Sequence, residues 1–310
     1  MLLEPVPKLK PPPPARPLSH PRLPLPAFFA AVALLAVCFC VPLFRLLRLA
    51  GGDDLYSDIP LIPLISLYFV WRKKDELPRR SRPSLIPAGI FLVAGALALA
   101  LGWLSSPASS TDNELAVSMA ALLLFFMAIC FAFLGAAVMR CLAFPAALLV
   151  FMIPFPDFLQ RMLDNGLQHG SAMAAGVFFA ISGTPFLRDG VNFDLPGIHL
   201  QVAPECSGIH SSVVLFIMSL IAGALFLRSP WRRAALTLAV IPLGLIRNGF
   251  RVFVIGQLCV HYGPQMLDSP IHRHGGPLFF LLSLIPFFPL LLFLSRGERN
   301  DSKPATRKLL

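Results

Sequence analysis

Residues 204–228 read PECSGIHSSVVLFIMSLIAGALFLR. A glutamate, a thiol and a histidine are packed into the first seven positions, and an apolar run ended by Arg228 follows at once. A membrane-spanning helix needs roughly 20 mostly apolar residues, so this stretch reads as a span with a polar mouth. The rest of the chain agrees with that reading. Its 310 residues are 56% hydrophobic and only 14% charged, with a mean hydropathy of +0.73, which excludes an ordinary soluble fold.

Working outward, apolar runs between charge clusters fall at 26–46, 58–71, 85–105, 115–138, 141–155, 209–227, 234–258 and 276–295. The expected class is an all-α polytopic membrane protein of about eight transmembrane helices. The second and fifth runs are short and call for tilt, re-entry or extension into their flanks. The stretch 159–186 carries Arg161, Asp164, Asn165, Gln168 and His169 and reads as an amphipathic interfacial helix.

Orientation follows from where Lys and Arg are retained. Lys8, Lys10, Arg16 and Arg22 precede the first span, six basic residues from Arg72 to Arg82 follow the second, and Arg228, Arg232 and Arg233 follow the sixth. Arg296, Arg299, Lys303, Arg307 and Lys308 close the chain, while most acidic residues fall in the alternate loops. Both termini are thus expected to be cytoplasmic, in the plasma (inner) membrane. The net charge of +10 reflects this topology and attraction to anionic membrane lipids, so no nucleic-acid partner is called for. The expected organisation is a disordered Pro-rich tail over 1–25, a transmembrane domain over 26–295 and a basic tail over 296–310. No short apolar segment with a small-residue cleavage site precedes the first span, so the N-terminus reads as a tail rather than a leader.

Five of the six cysteines, Cys38, Cys40, Cys130, Cys141 and Cys259, lie in or at the ends of expected spans, where cysteine packs as a small hydrophobe. Cys206 alone has polar neighbours. In this topology it lies at the outer mouth of the sixth span. Arg251 stands seventeen residues into the seventh, about 26 Å at the helical rise, and therefore near the same surface. The next loop delivers His272 and His274 to that surface too. A thiol is ionised more readily beside Arg or His⁺, histidine passes protons near neutrality, and arginine donates to an oxyanion or a carboxylate. The set has the chemistry of a cysteine acyl-transfer site, and it needs no metal or cofactor.

The segment VAPECSGIHSS resembles the cysteine motif of the exosortase and archaeosortase family of membrane proteases and transpeptidases. Asn248-Gly249-Phe250-Arg251 resembles that family's N-x-x-R, and His272 with Gly276 and Phe280 resembles its H-x-x-x-G-x-x-x-F. PLIPLISLYFVWRKK at 60–74 and Leu167-Gln168 are similar to the family as well. The resemblance covers roughly 26–295. It implies Cys206 as nucleophile, Arg251 as electrostatic partner and His272 as acid/base. It further implies exported substrates bearing a short C-terminal motif, often Pro-Glu-Pro (a PEP-CTERM tail), followed by a transmembrane helix and a basic tail, and a surface lipid or glycan acceptor.

Neighbouring polar residues keep alternatives open. His274 lies two residues beyond His272, although position 278, where its motif would need glycine, is leucine. His210, four residues after Cys206, would share its face if helix began that early; the simpler reading is a hydrogen-bond partner. Glu205 would raise a neighbouring thiol's pKa unless it pairs with Arg251 or Arg247, or binds substrate. Asn248 is expected to fix Arg251 or a loop, and Arg247 to face the bundle or snorkel outward. Turn signals at Gly190 and Pro196-Gly197 predict a small extracytoplasmic hairpin over 186–204, capping the site. Ala94, Ala98 and Gly102 form a small-residue stripe suited to close helix packing. Two other classes compete: a zinc hydrolase using His261, His272 and His274 with Cys206 or Glu205, and a multi-pass transporter or scaffold with an outward anion site.

Overall fold

A computed structural model describes residues 25–52, 54–78, 81–105, 110–202, 208–269 and 275–301. The expected Pro-rich tail therefore lies outside the described residues, except for Leu25. The helices are α1 (Leu25–Cys38), α2 (Cys40–Gly52), α3 (Leu61–Arg72), α4 (Leu85–Ser105), α5 (Thr111–Phe133), α6 (Gly135–Cys141), α7 (Ala143–Leu148), α8 (Asp157–Ser182), α9 (Ile209–Phe226), α10 (Pro230–Tyr262) and α11 (Gly276–Asp301). Three strands, β1 (Leu187–Asp189), β2 (Asn192–Leu195) and β3 (Ile198–Gln201), separate α8 from α9.

Among the described residues, five helices are long and apolar enough to cross a bilayer, and up to seven do so if each of two bent pairs is one span. Both bends have the same cause. A proline ring clashes with the carbonyl four residues back, and Pro42 and Pro145 stand four residues after Cys38 and Cys141, where the pairs α1–α2 and α6–α7 turn by 69° and 76°. The carbonyl freed at Cys141 accepts a hydrogen bond from Lys73 Nζ at 2.9 Å. The second expected span is α3, 12 residues long, or about 18 Å at the helical rise, short of the ~30 Å hydrocarbon core.

By contacts the chain forms two compact units. The first takes in 1–44, 61–107 and 117–153. Within it Gly135 turns the chain at φ +77°, and a Cβ there would lie 2.0 Å from the Arg82 carbonyl oxygen. The small-residue stripe on α4 is a packing device: a Cβ on Gly102 would meet Val117 at 2.8 Å.

The second unit takes in 45–60, 108–116 and 154–310, and α10 is its axis. Thirty-three residues give α10 a length of about 50 Å, so it outruns a bilayer core by several turns. Leu227, Arg228 and Ser229 join α9 to α10, and the Glu298 carboxylate on α11 accepts the Arg228 and Ser229 backbone N–H groups at 2.6–2.9 Å. Pro230 then fits the first helical position, where its missing N–H is not needed. Helix α11 runs on to Asp301, so the first residues of the expected basic tail at 296–310 are helical.

Helix α8 lies where the interfacial helix was expected, but its second half is built into the bundle. A Cβ on Gly170 would strike Leu245, one on Gly249 the Ala174 Cβ at 2.5 Å, and one on Gly256 the Phe179 ring at 2.6 Å. Positions rise together on the two helices, so α8 runs parallel to α10, with small residues letting the backbones close up. Small residues on α8 meet α10, while Phe158, Met162, Met173, Val177 and Ile181 stay exposed on its other face. Gly183, at φ 71°, ends α8 in a left-handed cap.

The predicted hairpin is a three-stranded antiparallel meander in the order β1-β2-β3, with Leu195 opposite Ile198. Its tight turn holds Gly197 at φ 81° after Pro196, the geometry proline and glycine favour together. Alternation along β2 and β3 buries Phe193, Leu195, Ile198 and Leu200. These pack with Ala172, Ala175 and Phe179 of α8 and Val252, Ile255 and Cys259 of α10 in one core. A second core joins Leu215 and Ala222 of α9, Leu236 and Val240 of α10, and Phe287, Leu291 and Leu294 of α11.

Candidate active site

The two cores leave a gap along α10. Leu236 and Val240 belong to one and Val252, Ile255 and Cys259 to the other; the turn between them carries Arg247, Asn248 and Arg251. Arg247 is 5% exposed and Asn248 2%. Burying such groups is unfavourable unless they are hydrogen-bonded, and the seam supplies partners from two neighbouring elements.

The first is the start of α9. Gly208 caps that helix at φ 71°, ψ 23°, and its carbonyl accepts from the Ser212 N–H at 3.0 Å, Ser211 Oγ at 3.1 Å and Arg247 Nη2 at 3.4 Å. Arg247 Nη2 also donates to Ser212 Oγ at 3.2 Å. A Cβ on Gly208 would lie 2.9 Å from Asn248 Oδ1 and 3.0 Å from Arg247 Nη2, so only glycine fits against these two side chains. The second element is α8, where Ser171 Oγ accepts from Asn248 Nδ2 at 3.0 Å. Asn248 thus ties α10 to α8 and lies against the turn at Gly208. Arg247 faces the bundle and does not snorkel; its Nη1 is buried with no hydrogen bond among the described residues.

Arg251 is half-buried on the next turn. Helix α10 runs eleven residues past it, about 16 Å, and the sheet and the end of α8 pack on that extension. Arg251 therefore lies below a protein cap built by the sheet and the end of α8. From Pro230 to Arg251 the helix rises about 32 Å, close to the hydrocarbon thickness, so a mouth-level position for Arg251 and an extramembrane cap are compatible.

The start of α11 joins the same level. Phe279 stacks edge-on against Phe250 with ring centroids 6.4 Å apart, and Phe280 packs on the second core. Cys206, Glu205, His272 and His274 lie outside the described residues. Their flanking helices do not: α9 starts against Arg247 and Asn248, and α11 starts against Phe250.

His210 forms a contact the sequence reading did not foresee. Its Nε2 lies 3.0 Å from Asp58 Oδ2, a hydrogen bond to the loop after α2. Asp58 sits on the loop after α2, where buried Tyr56 and Ile59 anchor the chain. A carboxylate directly before the PLIPLIS run, on the same expected side as His210, was the available signal. Ser171 and Ser212 carried none.

All five described cysteines are free thiols, Cys130 and Cys259 buried among apolar side chains. Of the zinc candidates only His261 is described; its Nδ1 is 2.8 Å from the Gln257 carbonyl oxygen, and among the described residues no group of three or more metal-ligating side chains forms.

A helical bundle with several candidate spans and a buried Asn/Arg seam below a small sheet defines a polytopic membrane protein. The chain matches the family model for transmembrane exosortases over residues 48–289 and belongs to that family. No curated protein and no solved structure matches it. Membership assigns the chain a general membrane sorting or transpeptidase role.

Proposed function

We propose that the chain is a cysteine protease/transpeptidase that cleaves C-terminal sorting tails of exported proteins at the outer membrane–water interface. The observation that carries this reading is convergence on one turn of α10. Gly208 sits against Arg247 and Asn248, and Phe279 sits against Phe250, the residue before Arg251. Cys206 is two residues before Gly208 in the chain.

In the reaction, the Cys206 thiolate attacks the scissile carbonyl and Arg251 stabilises the oxyanion. His272 protonates the departing amine, and an acceptor nucleophile then resolves the thioester. Water gives proteolysis, whereas a lipid or glycan acceptor gives transpeptidation. The substrate's transmembrane helix lies against exposed apolar faces of the bundle, holding its motif at the level of the seam. Both termini are cytoplasmic and the site is extracytoplasmic.

The test is processing of a membrane-tethered reporter with a PEP-type tail, at matched membrane levels. Cleavage lost in Cys206→Ser, Arg251→Ala and His272→Ala, but retained in His274→Ala, supports the assignment. Normal cleavage by Cys206→Ser refutes it.

A further inference from the structure

We propose that the first unit seats one acyl chain of a bilayer phospholipid in a cavity between α1, α2, α3 and α5. The cavity holds about 400 Å³, within the range of about 300–1,000 Å³ that takes a small organic ligand, and every side chain lining it is apolar. All of these side chains belong to the unit formed by 1–44, 61–107 and 117–153, and none to the Asn/Arg seam.

The elbow of the first bent pair makes the space. Val32, Leu35 and Ala36 share one face of α1 by their i, i+3, i+4 spacing, and Leu43 stands beyond the bend on α2. Residues on both sides of a 69° bend line one cavity, so it occupies the inside of that elbow. The other wall is a face of α5, with Met119, Leu122 and Phe126 at i, i+3 and i+7. Met119 is 2% exposed and forms the floor, whereas Leu35, Leu122 and Phe126 are half-buried, which leaves one side open.

Depth and size select the occupant. Counted from Thr111, Met119 and Phe126 stand about 12 and 22 Å along α5, in the middle of a 23-residue span, so the cavity opens among lipid tails rather than headgroups. Water leaves an apolar cavity dry, and leaving it empty would cost its walls their dispersion contacts. A helix from another protein is about 10–12 Å across, so one turn alone takes on the order of 400–600 Å³ and would fill the space before a second could enter. A single hydrocarbon chain is thin and flexible enough to follow the elbow. It is also at hand: Leu34 and Val37, which flank the lining residues Leu35 and Ala36 on α1, are 65% and 67% exposed, so the cavity wall continues into the lipid-facing surface.

The experiment uses the full-length protein in maltoside detergent, titrated below one equivalent with a phosphatidylethanolamine that carries a diazirine midway along one acyl chain. Irradiation and peptide mass spectrometry then locate the label. Label on the cavity faces of α1 and α5 is expected to exceed that on Leu92, Val93 and Leu97, exposed near the middle of α4, by about tenfold, the equivalent of about 1.4 kcal/mol of preference. Excess unlabelled phosphatidylethanolamine should suppress the cavity label. Ala36→Phe places a ring in the opening and should abolish the preference, whereas Val37→Phe, on the outward side, should keep it. Even labelling of the cavity and α4, or a preference unchanged in folded Ala36→Phe, overturns the proposal. If Ala36→Phe does not accumulate, the wild-type pattern decides alone. Tail processing is not part of the readout, so failure of the peptidase reading leaves this test intact.

Discussion

Replacing Gly208 tests the clamp at the mouth of α9 with one methyl group. Its φ of 71° lies in the left-handed region, which costs an L-residue about 1–2 kcal/mol. The new Cβ would also sit 2.9 Å from Asn248 Oδ1 and 3.0 Å from Arg247 Nη2. Asn248 is hydrogen-bonded to Ser171, and Arg247 to Gly208 and Ser212, so neither side chain yields without loosening a buried hydrogen bond, worth about 1–2 kcal/mol. Gly208→Ala should therefore destabilise this junction by about 2–4 kcal/mol. Gly208→Asn, which tolerates the left-handed region better, should recover only about 1 kcal/mol, because the Cβ contact remains. The assay pairs thermal unfolding in detergent with reporter processing at matched membrane levels. Both variants should lower the Tm, alanine more, and alanine should slow processing at least tenfold, the equivalent of about 1.4 kcal/mol in the barrier. Alanine with wild-type Tm and rate would show that Gly208 is not pressed against Arg247 and Asn248, and the argument for a fixed mouth would fall.

Other perturbations follow the same geometry. Gly249→Ala places a Cβ 2.5 Å from Ala174 Cβ and 2.8 Å from the Ala175 backbone nitrogen, so overpacking should cost about 1–3 kcal/mol; Gly166→Ala on the same α8, with open space around it, should be neutral or stabilising by about 1 kcal/mol, and detergent Tm values compare the two. Gly135→Ala should lower the yield of folded protein, because its Cβ cannot share space with the Arg82 carbonyl; size-exclusion recovery reports it. Glu298→Ala removes the acceptor of the Arg228 and Ser229 N–H groups and should lower the Tm by the equivalent of about 1–2 kcal/mol without changing processing per folded molecule, since it acts at the α9–α10 connection, far along α10 from Arg251.

The membrane class was legible because apolar runs near 20 residues admit few other readings. The count of spans was less so: hydropathy registers composition, whereas Pro42 and Pro145 bend two runs and α3 is limited to 12 residues by its flanks. The interfacial reading of 159–186 weighed its polar residues in isolation. What decides α8 is that Gly249 and Gly256 on α10 accept Ala174 and Phe179, a relation between distant segments that periodicity does not show. The cap over 186–204 was legible from its turn residues, whereas the extension of α10 to Tyr262 was not, because hydropathy falls off before the helix ends. Asn248 hydrogen-bonds Ser171 of α8, a partner no sequence spacing singles out. Asp58 was missed because one carboxylate in a loop has no spacing signal; only the fold brings it to His210.

The most direct test of the central claim is to trap the acyl-enzyme. Wild-type membranes are incubated with a tailed reporter, quenched in acid, and the adduct is mapped by mass spectrometry with and without hydroxylamine. The account predicts a hydroxylamine-labile thioester joining the reporter's new C-terminus to Cys206, absent in Cys206→Ser. Tail cleavage with no such adduct, and undiminished in Cys206→Ser, would contradict it.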